Sequence, residues 1–171
     1  MQILLRSQII GILALAMTMG AHAQTGSAPS PSCRDWFSKI DPHDAPQASF
    51  ALDRLTDVEK LKGMVCLLKL EGRKNDARFS GATRPNVSQL FPATSVEVGA
   101  LYYVSYVFTG KWDHSSACYL RGVDGRINDP QDIREAYRLY RKWIEQVKKL
   151  GLTEAREKGL NPLEGSSTSW Y

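Results

Sequence analysis

Once His22 is set aside with the N-terminal leader considered below, His43 and His114 are the imidazoles on offer for nucleophilic or metal chemistry. If its segment is helical, His114 lies one turn from Cys118 on the same face with Asp113 beside it, a pairing that a thiol nucleophile and its base require. Against that reading, neighbours on one helix point outward side by side, and no oxyanion-hole loop accompanies them. Glu71, Glu97, Asp113 and Asp129 are the acids that folding would have to gather as a carboxylate pair for glycan cleavage. Simpler roles are expected for several of them: Glu97 in a capping box, Glu71 at the solvated end of a helix, Asp129 as a helix cap. The cluster Asp41-Pro42-His43-Asp44 matches no zinc spacing and reads as a turn. Asp124, Asn128, Asp129 and Asp132 depart from the calcium-loop pattern. No catalytic set, metal or cofactor is therefore assigned.

The stretch richest in recognition chemistry runs over 73–84. Arg73, Lys74, Arg78 and Arg84 offer cationic donors to carboxylates or phosphates, and Phe79 offers an apolar anchor. The plainer alternative is structural: Arg78 and Arg84 tie the loop to helix carbonyls and Phe79 plugs the core. The sequon Asn86-Val-Ser88 lies just beyond, a short and weak match for glycosylation.

Met1 to Ala23 has the three parts of a secretory signal: an early positive charge at Arg6, an apolar run from Ile9 to Met19, and Ala21-His22-Ala23 at the cleavage point. The apolar run, about eleven residues, is too short for a spanning anchor. The expectation is a protein free in the periplasm or secreted, after cleavage near Ala23. Residues 24–32, small, polar and proline-rich, then form a disordered leader, and 33–171 a single domain. Cys33, Cys66 and Cys118 meet an oxidising compartment, so one internal bridge can form and one thiol is left over. Spacing leaves the pairing open. Cys33–Cys66 is favoured because Cys33 opens the ordered region and a bridge would tether it.

The whole chain, 171 residues, is 43% hydrophobic, 9% aromatic and 23% charged with a formal net charge of +4. That composition excludes a collagen-like rod, a disulfide-dense mini-protein and a wholly disordered chain. The charge is weak and well mixed, and falls by one when Arg6 leaves, so no nucleic-acid footprint is present. No span beyond the leader is apolar enough to cross a membrane.

These groups must be positioned by a mostly α domain with three principal helices, near 57–71, 95–109 and 131–150, and a long ordered loop over 73–93. A short helical turn follows Cys33, with Trp36, Phe37 and Ile40 on one side. Thr56 and Glu59 have capping-box spacing, and Val58, Leu61, Val65 and Leu68 recur on a helical stripe widened by Met64, Leu67 and Leu70. Gly63, on the side of Cys66, leaves room for another element to approach. Thr94 and Glu97 repeat the capping-box spacing before VGALYYVSYVF, which ends at Gly110. A period-two pattern from Leu101 to Phe108 also permits a strand, but the cap, the terminal glycine and the length favour a buried helix. Asp129-Pro130 opens the clearest amphipathic helix, with Ile133, Ala136, Tyr137, Tyr140, Trp143, Ile144, Val147 and Leu150 on one face and Gly151 at its end. Residues 113–122 read as a short helix or as a hairpin arm turning at 123–125. Thr153 to Lys158 adds a short coda, and Trp170-Tyr171 is expected to dock against the body.

The function expected from these features is non-catalytic binding by an exported helical protein, with a protein partner in the cell envelope and an inhibitor or immunity-type role. The alternatives are a small envelope hydrolase using loop carboxylates or His114 and Cys118, and a structural accessory protein assembling through its aromatic tail.

Overall fold

The computed structural model describes residues 30–44, 50–78, 94–111 and 118–170. Among them run five helices, α1 (Cys33–Phe37), α2 (Asp57–Leu67), α3 (Val96–Thr109), α4 (Pro130–Leu150) and α5 (Leu152–Glu157), and two strands, β1 (Leu120–Gly122) and β2 (Thr168–Trp170). The domain is mostly helical, as its periodicity predicts, and the strands form one two-stranded antiparallel sheet.

Ser32, read above as the last residue of the leader, is in fact the cap of α1. Its hydroxyl accepts from Asp35 N–H, and the buried Asp35 carboxylate accepts from the Ser32 backbone at 2.8 Å. The Cys33–Cys66 disulfide, Cα to Cα 5.2 Å, fastens α1 to α2. Trp36 lies flat over Gly63, where a Cβ would collide with the indole, so glycine is the residue that permits this crossing.

Thr56 and Glu59 close the expected capping box at the start of α2. The helix is α-helical to Leu67, tightens to a 3₁₀ turn over Leu68–Leu70, and turns at Gly72 with φ 82°. Its buried arc differs from the predicted stripe. Met64, Cys66, Leu67, Leu68 and Leu70 are buried, whereas Val58 is 61% exposed and Leu61 and Val65 are half-buried. The cause is Trp36, which with the disulfide draws the Gly63–Cys66 side of the helix inward.

The segment open to two readings is helix: α3 is buried continuously from Val96 to Val104 and stops at Gly110, φ 69°, whose N–H bonds to the Tyr106 carbonyl. Its cap is not the expected one. Ser95 is the N-cap and makes no side-chain bond; Thr94 Oγ1 instead donates to the Cys118 carbonyl at 3.0 Å, and Glu97 turns away to another task. Pro130 opens α4, with Asp129 accepting from Gln131 N–H, and the predicted residues from Ile133 to Val147 are buried against α3.

Leu120 is in a strand, so a helix running through it is excluded. The chain turns through Val123–Gly125, Asn128 donates its backbone N–H to the Leu120 carbonyl, and its side-chain oxygen accepts from Leu120 N–H. The outer edge of this turn pairs with β2, Leu120 opposite Trp170 and Gly122 opposite Thr168, which docks Trp170 as expected, while Tyr171 lies outside the described residues.

Candidate functional site

The predicted loop residues fall into distinct environments. The Arg73 guanidinium bridges Asp41 at 2.6 Å and Asp44 at 2.8 Å and lies over the Phe37 ring. Asp41 is 2% exposed and also accepts from the His43 backbone and Asn75. Burial opposes its charge, but those hydrogen bonds outweigh burial and hold its carboxyl below the usual range. Lys74 Nζ reaches the carboxylate of Glu97 at 2.7 Å, and the second oxygen of Glu97 accepts from Gly72 N–H. Glu97 is thus a buried clasp, 2% exposed, between the end of α2 and the start of α3. Arg73 and Lys74 are thus paired with carboxylates of the fold while their own side chains remain partly open to solvent. Arg78 donates its backbone N–H to the Ile40 carbonyl and stays exposed. Phe79 and Arg84 lie outside the described residues, as does the sequon.

His114 and Asp113 lie outside them too. Cys118 is completely buried, and burial pushes its thiol well up, the opposite of what activates a nucleophilic cysteine. Glu71 pairs with Arg141, and Asp129 pairs with Arg126 besides capping α4, so these acids serve the fold. Among the described residues no group of three His, Cys, Asp or Glu side chains is gathered to hold a metal ion. None of their helices is long and apolar enough to cross a membrane.

A groove of about 520 Å³ lies between the C-terminal half of α3, Trp143 of α4, the turn after α5, and β2. Tyr102, Tyr106, Phe108, Trp143 and Trp170 wall it. Two elements make this grouping: Tyr102, Tyr106 and Thr109 follow at helical spacing on α3, and β-pairing carries Trp170 to their side. Trp170 packs edge-on against Tyr102 at 5.2 Å between centroids and donates Nε1–H to the Tyr140 hydroxyl at 3.0 Å. That hydroxyl shares a second hydrogen bond of 2.7 Å with Ser105. Burial pushes the Tyr140 phenol up, so it remains a neutral hydrogen-bonding hub. Phe108 and Trp143 meet edge-to-face at 4.8 Å.

No family model, curated protein or solved structure matches this chain. The site is therefore read from its own chemistry.

Among the described residues two cations line the groove, Lys111 and Arg156, and no acid does. Arg156 donates from Nε to the Phe108 carbonyl and from one Nη to the Val107 carbonyl, closing the C-terminus of α3 while its guanidinium remains beside the opening. Neither cation forms an ion pair with a carboxylate among the described residues. Trp143, 3% exposed, carries a buried Nε1 with no hydrogen-bond partner among them.

The sequence marked Trp170 and the all-round apolar α3, yet it offered no sign of the groove itself. Arg156 sits in what reads as a coda, and its place beside Phe108 depends on the turn at Gly151.

Proposed function

We propose that this chain is an exported protein that acts by non-catalytic binding, that its partner is a protein of the cell envelope, and that the aromatic groove is its recognition surface. The role that fits is inhibitory or immunity-type. The observation that carries this reading is the groove, whose walls among the described residues are aromatic, with two cations and no acid. Tyrosine, tryptophan and arginine are the residues that dominate binding energy at protein interfaces, because they combine large apolar area with directed donors. The loop 73–78 supports the reading in a smaller way, since Arg78 stays exposed beside residues held rigidly by Asp41, Asp44 and Glu97.

Affinity capture from envelope extract tests it, with the native chain beside a Trp170→Ala variant verified as folded by circular dichroism. The expected result is one protein retained by the native bait and lost from the variant. Recovery of the same material by both baits removes the groove from consideration as the recognition surface.

A further inference from the structure

Resting on the reading of the groove as the recognition surface, we propose that it takes an aromatic side chain of the partner protein with a carboxylate on the adjacent residue. The walls of the groove are ring edges and faces already set at right angles to one another, Tyr102 against Trp170 and Phe108 against Trp143. An incoming ring extends that edge-to-face pattern, the arrangement aromatic quadrupoles favour. The charge at the opening has one sign. Lys111 is exposed, Arg156 uses part of its donor fork on the carbonyls of α3, and among the described residues no acidic side chain lines the groove to neutralise either. A ring alone would leave those cations without a counterpart, whereas a neighbouring carboxylate meets them within one residue's reach.

The probes are three short acetylated and amidated peptides, Ala-Phe-Asp-Ala, Ala-Phe-Asn-Ala and Ala-Ala-Asp-Ala, titrated into the ¹⁵N-labelled full chain at low salt. The readout is the set of indole N–H resonances, which Trp143 and Trp170 report directly. The Phe-Asp peptide is expected to shift both indoles and to bind about fivefold more tightly than Phe-Asn, the gain of about one exposed charge pair. Ala-Ala-Asp-Ala should shift neither. In Lys111→Gln, whose side chain is exposed and whose replacement leaves the core untouched, the preference should fall to about twofold. Equal binding of the Asp and Asn peptides overturns the carboxylate requirement. Shifts from Ala-Ala-Asp-Ala equal to those from Phe-Asp overturn the ring requirement. If no peptide moves the indoles, the inference fails as a whole, while the binding reading is judged separately by whether the Trp170→Ala bait still loses its partner.

Discussion

Glu97 shows how one buried carboxylate can do work that its spacing does not announce. Placed three residues after Thr94, it reads as half of a capping box; in the fold it accepts from Gly72 N–H and Lys74 instead. Glu97→Ala should lower stability by about 1–2 kcal/mol, because a charge-assisted clasp between the end of α2 and the start of α3 is lost. Glu97→Gln, which keeps an acceptor for Gly72, should lose roughly half as much; urea denaturation of the two variants makes the comparison. Asp41 gives a pH signature. Its carboxyl titrates below the ordinary aspartate value of 3.8, so below that value the unfolded chain binds more protons than the folded one. Stability from the Asp41–Arg73 contact is therefore complete above pH 3.8 and is lost as the pH falls through the depressed folded value. Urea midpoints measured between pH 6 and pH 2.5 should fall more steeply for the native chain than for Asp41→Asn. For Cys118 the spacing left the pairing open, and the favoured Cys33–Cys66 bridge made it the remaining thiol; in the fold it is buried, with the Thr94 hydroxyl bound to its carbonyl. The native chain should accordingly react with a thiol reagent only after denaturation.

Among the elements, those with a strong period and a local stop signal were readable nearly to the residue. The Asp129-Pro130 start and Gly151 stop bracket α4 as expected, and α3 ends at Gly110. These signals act within one turn, so the sequence contains them whole. The buried arc of α2 was readable only in part, because Trp36, some thirty residues distant in sequence, decides which side faces inward. Gly63→Ala tests that contact: the added methyl meets the indole, and a loss of about 1–3 kcal/mol is expected, read as a drop in thermal midpoint. Val58→Ala, on the exposed side, should change stability by less than about 0.5 kcal/mol. The β1–β2 pair was illegible as a pair, since a strand of three residues has no period and its partner is fifty residues away. The groove inherits that difficulty, because Trp170 reaches Tyr102 only through this pairing.

For the molecule as a whole, helical class and helix number followed from periodicity, while the groove depended on how helices, a turn and a strand assemble. The disulfide is the clearest feature at this scale. Replacing Cys33 and Cys66 with Ser should cost about 3–4 kcal/mol in the chain-entropy account for a separation of 33 residues, measurable as a lower urea midpoint. The same bond determines how the molecule carries load. A pull applied ahead of Cys33 does not peel α1 away; it crosses directly to Cys66 in the last turn of α2, and the intervening segment bears no tension. With the bond intact that segment cannot lengthen, and cutting it releases roughly 110–120 Å of slack chain at about 3.3–3.6 Å per residue. In a tethered setting, then, redox state would set the extension of this protein under force as well as its resistance to unfolding.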